Sequence, residues 1–163
     1  NGEQIRALVK KLRDKGISTR STFIAGFPGE AAEEFEELLA FLKEARFYAC
    51  GFFAYSKEEG TPAAKLPGQV GARVKAARRK RAYAVQSAVS AEDKEKLIGR
   101  TFDTVYEDID YDRQTFRGRT MFQTPDVDGV TYFRSDIPVD AGSVYRVKIT
   151  GVCGEDLIGE VVE

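Results

Sequence analysis

The spacing of apolar residues changes once along this chain, near Leu97, and that change limits the possible folds more than any other feature. Upstream, apolar positions recur at intervals of three and four and alternate with short β-branched runs. Ile5, Leu8, Val9 and Leu12 make one helical stripe, which Gly16 is placed to end in the left-handed conformation. Ile17 to Ala25 reads as a strand, broken by Gly26-Phe-Pro-Gly29. Phe35, Leu38, Leu39 and Leu42 mark a second helix, with Glu30, Glu33 and Glu34 where its dipole favours anions. Phe47 to Tyr55 is apolar enough to be a strand buried on both faces of a parallel sheet. After an irregular stretch from Ser56 to Gly71, a helix runs to about Lys96 with Val74, Ala77, Val85, Ala88 and Val89 as its seam.

Downstream, five short runs follow: Thr101–Ile109, Thr115–Phe122, Val130–Phe133, Ser143–Thr150 and Leu157–Val162. Turn residues separate them, and a small closed barrel of the OB type is expected. The fold class is therefore α/β followed by all-β. Segment 1–69 is expected to be part of a parallel α/β barrel, 70–96 a connecting helix, and 97–163 a five-stranded antiparallel barrel. Two parallel strands cannot stand alone, so the first segment is expected to complete a larger barrel whose earlier strands lie outside this chain.

Composition narrows the chemistry. Histidine is absent, so neither a Ser-His-Asp nor a Cys-His nucleophile can be assembled here. The two cysteines, about a hundred residues apart, form no disulfide framework and have no metal-ligand spacing. Cys50 reads as a small buried hydrophobe and Cys153 as a turn residue. No apolar run reaches the about 20 residues needed to span a bilayer, and Asn1-Gly-Glu-Gln-Ile lacks the order of a signal peptide. A reducing cytoplasm is the expected compartment. Charge is uneven: residues 1–96 carry a balance of +5 and residues 97–163 a balance of −6. Such asymmetry points to two units with different partners.

Two segments leave strand ends, where loops converge on ligands in α/β layers. Thr22-Phe-Ile-Ala-Gly-Phe-Pro-Gly-Glu30 offers Gly26 and Gly29 for close approach and Phe27 for stacking; a turn needing Gly and Pro for conformation alone is the plainer account. Phe52-Phe-Ala-Tyr-Ser-Lys-Glu-Glu-Gly-Thr-Pro62 offers hydroxyls at Tyr55 and Ser56, while Glu58 and Glu59 fit a solvated loop. The basic run Lys75 to Arg81 fits a solvated face docked against acidic surface better than an RNA grip, because aromatics are sparse around it.

Taken together, Phe23-Ile-Ala-Gly-Phe-Pro-Gly-Glu30, Ala54-Tyr-Ser-Lys-Glu-Glu-Gly-Thr-Pro-Ala-Ala64 and Leu97-Ile-Gly-Arg100 before a small barrel resemble the radical S-adenosylmethionine methylthiotransferases. Gly118-Arg119 followed by Pro125-Asp-Val-Asp-Gly129, with Ser-Lys-Glu58-Glu59-Gly-Thr, resembles the RimO-type branch, which modifies an aspartate in the twelfth protein of the small ribosomal subunit. The resemblance implies S-adenosylmethionine and two four-iron–four-sulfur clusters in the complete enzyme, and a TRAM domain from about Gly99. On that basis Ile24, Gly26 and Phe27 are candidates for the adenine side of the cofactor, with Arg20 and Tyr55 for polar contacts. Asp108, Asp110, Asp126 and Asp128 would contact a basic ribosomal protein, since the negative barrel repels RNA phosphate. Two departures matter: Ala31 stands where the family places Thr, and the three-cysteine cluster motif is absent. These residues alone are therefore expected to be inactive. The rivals are the tRNA-modifying branch of the family and a non-catalytic binding module.

Overall fold

A computed structural model describes residues 2–162; Asn1 and Glu163, the outer ends of the expected first and last segments, lie outside the described residues. The elements are α1 (Gly2–Asp14), β1 (Arg20–Ala25), α2 (Ala32–Ala45), β2 (Ala49–Ala54), α3 (Ala72–Glu95), β3 (Thr101–Asp110), β4 (Thr115–Thr120), β5 (Thr131–Arg134), β6 (Val144–Cys153) and β7 (Asp156–Val161), with one 3-10 turn at Ala63–Lys65. Chain contacts divide them into two compact units, at Ser90 and Ala91.

In the first unit, β1 and β2 pair in parallel, Arg20 opposite Ala49 through Ala25 opposite Ala54. Gly16 closes α1 with a positive φ, the Ile17 N–H returning to the Leu12 carbonyl, as the sequence implies. One face of the two-stranded sheet is covered. Phe23 stacks on Phe52 at 5.6 Å, and Phe35, Leu39, Leu42, Phe47 and Ala82 complete the core beneath. The other face is open. Ile24 and Phe53, register partners, are 54% and 60% exposed. The strand expected to be buried on both faces is thus buried on one, because α2 and α3 supply neighbours for one face only.

The seam of α3 also differs from its expected course. Val74 and Ala88 are exposed, whereas Ala82, Gln86, Val89 and Ser90 are buried. Gln86 donates to the Phe47 carbonyl at 2.6 Å and Ser90 to that of Tyr48 at 2.9 Å. Two polar side chains therefore pack inward because unsatisfied carbonyls ahead of β2 need donors.

The second unit is a closed five-stranded barrel in the order β3-β4-β5-β7-β6, with β6 returning to β3. Four of its pairings are antiparallel and one, β5 with β7, is parallel, so the barrel is mixed. Tyr106, Phe133, Val147, Ile149 and Leu157 fill it, with Phe116 against both Tyr106 and Phe133. Closure depends on glycine. A Cβ on Gly118 would lie 2.1 Å from the Val105 carbonyl oxygen, beside the irregular register at Tyr106 and Asp108. A Cβ on Gly129 would lie 2.2 Å from that of Glu155. No side chain fits at either place.

Candidate functional site

The C-terminal edge of β1 and β2 gathers most of the residues singled out in the first unit. Gly26 follows β1 and Tyr55 follows β2, joined where the Tyr55 N–H reaches the Ala25 carbonyl at 2.9 Å. The Phe27 ring meets Tyr55 edge-on at 5.3 Å. Ile24 lies one step below, on the open face. Arg20 and Thr22 are exposed on that strand with the same alternation, but Arg20 stands at the far end of β1, roughly 13 Å from Ile24 at the rise of a strand. Tyr55, Gly26 and Phe27 are brought together; Arg20 is not.

Helix α3 completes this mouth. Gly26 has φ of 76°, and the space beside its Cα is filled by Lys75, whose Cγ would lie 2.5 Å from a Cβ there. Gly29, at φ of 89°, has open space on that side and donates its N–H to the Gly68 carbonyl at 2.9 Å. So Gly29, not Gly26, is the position where a flat ligand could approach the backbone. The Lys75 ammonium donates to the Tyr55 carbonyl at 3.0 Å and lies 4.7 Å over the Tyr55 ring. Arg78 donates to the Glu30 carboxylate at 2.5 Å and to its carbonyl at 2.9 Å, both side chains being largely buried. The same carboxylate accepts the Gly26 N–H at 3.0 Å. Arg81 pairs with Glu36. The basic run is therefore docked against acidic surface as its composition suggests, and Lys75 and Arg78 are more deeply placed than a solvated face would be. Nothing in the spacing of the run distinguishes those two from exposed Arg79 and Lys80.

Burial leaves the Tyr55 hydroxyl without a hydrogen-bond partner. Gly29, with open space beside its backbone, and the partly exposed Phe27 ring present a surface that suits the flat ring of a small ligand, while the Tyr55 hydroxyl stays buried beneath. The residues also fit an adenosyl group. They do not fit an iron–sulfur cluster. Cys50 and Cys153 fall in different units, and no cluster of three His, Cys, Asp or Glu residues able to hold a metal exists among the described residues. Burial pushes the Cys50 thiol from its ordinary value near 9 up to about 12, against smaller opposing effects of the Ser21 backbone and Arg20.

The barrel aspartates do not form one patch. Asp108 pairs with Arg117 across the β3–β4 ladder, and its hydrogen bond and charge hold that guanidinium more firmly protonated than usual. Asp110 accepts the Arg113 N–H at 2.9 Å at the hairpin end. Asp128 accepts the Thr124 N–H at 2.9 Å, and Asp126 occupies a left-handed turn position with φ of 58°. These last two follow the opposite end of β4, roughly 17 Å from Asp110 along the strand. Glu107 is paired with Arg119, and Asp103 with Arg146. These pairs lie within the segment, so its −6 balance stands, but Asp108, Asp110, Glu107 and Asp103 are each engaged by a neighbouring arginine. The barrel also carries a groove of about 560 Å³ that composition does not reveal, lined by Arg113, Tyr132, Arg134, Thr150, Cys153 and Ile158 among others. There Arg113 lies 4.2 Å over the Tyr132 ring. The β3–β4 hairpin, β5 and the β6–β7 turn that frame it correspond to the ligand-binding side of OB-type barrels.

Barrel order and glycine packing define an OB-type barrel domain, and residues 98–162 match the TRAM domain family. Along nearly its whole length the chain is similar to curated proteins named ribosomal protein uS12 methylthiotransferase RimO. It is 40% identical to that of Desulforamulus reducens over 99% of this chain, 42% to that of Pelotomaculum thermopropionicum over 98%, and 40% to that of Geobacter sulfurreducens over 98%. The chain spans little more than a third of their length, 37%, 37% and 36% respectively. It belongs to the family of these methylthiotransferases.

Proposed function

We propose that this chain is the cofactor-edge and substrate-docking part of a methylthiotransferase that modifies an aspartate of ribosomal protein uS12 in the cytoplasm. The observation that carries the reading is the similarity, near 40% identity, that runs through both units rather than through the barrel alone. In this reading 1–69 belongs to the catalytic α/β barrel, 70–96 connects, and 97–163 is the TRAM domain. Ile24, Phe27 and Tyr55 hold the adenosyl end of S-adenosylmethionine, with Gly29 as the open backbone position, Gly26 as the turn that Lys75 fills, and Arg20 further down the same strand as Ile24. Bound there, that cofactor supplies radical chemistry, the product being a methylthio group on an aspartate β-carbon. The two four-iron–four-sulfur clusters are held by residues other than those described. Asp108, Asp110, Asp126 and Asp128 face a basic protein as separate contacts at two ends of the barrel rather than as a single clamp.

The groove with Arg113, Tyr132 and Arg134 favours a second reading, in which the barrel grips RNA by stacking and phosphate contact. Titration of the full chain with purified uS12 and with transfer RNA, each at two salt concentrations, separates the two. Binding of uS12 without binding of RNA supports the first. Binding of RNA alone, with a steep salt slope, supports the second.

A further inference from the structure

We propose that Lys75 is the positioning residue of the strand-end mouth, the side chain that fixes the separation of the Gly26 turn and Tyr55. The inference rests on reading that mouth as an adenosyl site and concerns which residue shapes it. Two observations concern Lys75 itself, and a third its neighbour on α3. Its stem fills the space beside Gly26, with Cβ and Cα 3.1 and 3.3 Å from where a glycine Cβ would stand. Its ammonium bonds the Tyr55 carbonyl at 3.0 Å and covers one face of the Tyr55 ring at 4.7 Å. One helical turn further on, Arg78 fastens Glu30, which in turn holds the Gly26 N–H.

Without these contacts the bond from the Tyr55 N–H to the Ala25 carbonyl and the Phe27 ring against Tyr55 still link the two strand ends, a weak tie for loops of this kind. Lys75 spans both. The Tyr55 hydroxyl, the one polar atom of that ring, is buried and has no hydrogen-bond partner among the described residues, so Lys75 holds Tyr55 through its backbone carbonyl and its ring face alone. With its ammonium engaged by a carbonyl and a ring, Lys75 acts through Gly26 and Tyr55 and is not a catalytic residue.

The test is a titration of the full chain with S-adenosylhomocysteine, read at the backbone amides of Gly26, Phe27 and Tyr55 by NMR. Lys75→Met keeps the stem against Gly26 and removes the donor and the cation. The expected result is binding weakened about tenfold, or about 1.4 kcal/mol, with the melting temperature changed by no more than about 2 °C. Lys75→Arg is expected to restore affinity to within about threefold. Equal affinity in wild type and Lys75→Met overturns the role of Lys75 while leaving the mouth intact as a site. No movement of the Gly26 and Tyr55 amides in the wild type overturns the adenosyl reading, and this inference with it. Should Lys75→Met unfold the first unit, Lys75→Arg decides: affinity lost in a folded Arg variant with an unchanged melting temperature also overturns it.

Discussion

Lys94, with a side chain only 2% exposed, gives its ammonium to both the carbonyl and the carboxylate of Glu155 in the β6–β7 turn. Both residues belong to the second unit, so the last turn of α3 is part of the barrel. Removing an anionic partner from a buried cation is costly. Glu155→Ala removes the carboxylate and keeps the carbonyl contact. Because the Glu155 side chain is about half exposed (51%), the expected loss is about 2 kcal/mol, below the full range for a buried pair. Lys94→Met, which removes the charge and keeps the length, is expected within about 1 kcal/mol of wild type. Urea unfolding of the full chain, followed by a barrel signal, checks both. A Met variant as damaged as the Ala variant would mean that hydrogen bonding rather than charge burial dominates.

Gly118 and Gly129 sit in the two motifs that suggested the RimO-type branch, and the structure explains both by packing. With a carbonyl oxygen 2.1 Å from the required Cβ position, Gly118→Ala cannot be absorbed by a rotamer change and must open the β3–β4 pair. A loss of about 3 kcal/mol or more is expected, the upper range for overpacking. Circular dichroism melts of the variant check it, and an unchanged melting temperature would contradict the close approach.

Ala31 leaves a capping box half made. The Glu34 carboxylate accepts the Ala31 N–H at 2.8 Å, but Ala31 has no oxygen to accept from the helix. Ala31 already has an extended backbone, φ −74° and ψ 169°, so Ala31→Ser meets no conformational barrier and is expected to add about 1 kcal/mol to the first unit. A melting temperature raised by roughly 4–8 °C for a unit of this size is the readout.

What the sequence discloses and what it hides follows from the physics of each signal. Every strand of the barrel lies within a few residues of its expected run, because closed small barrels impose strict alternation and polar turns. The Gly16 stop of α1 was equally legible. The parallel β5–β7 pairing was not, since alternation is identical for both strand directions. Gln86, Ser90 and Lys94 were missed because a polar residue reads as solvent-facing unless the carbonyl awaiting it is known. Of the cofactor candidates, Gly26, Phe27 and Tyr55 were legible because they follow strands. Lys75 and Arg78 join them only through tertiary packing, one among several basic residues of α3.

The thiol of Cys50 allows a prediction whose sign follows directly from burial. Its pKa in the fold, about 12, stands above the ordinary value near 9. The native state therefore retains a proton that the unfolded chain releases in that interval. The contribution is fully present below about pH 9 and is lost as pH rises toward 12, because unfolding then releases a proton. In urea titrations, Cys50→Ala should differ from wild type by a constant amount between about pH 6 and pH 8, with the variant gaining relative to wild type above pH 9. Alkylation provides an independent check. Exposed Cys153 should react with iodoacetamide near neutral pH, while Cys50 remains protected until alkaline conditions or unfolding release its thiolate. Equal labelling of both cysteines in the folded chain at pH 8 would show that the thiol is not held protonated by burial.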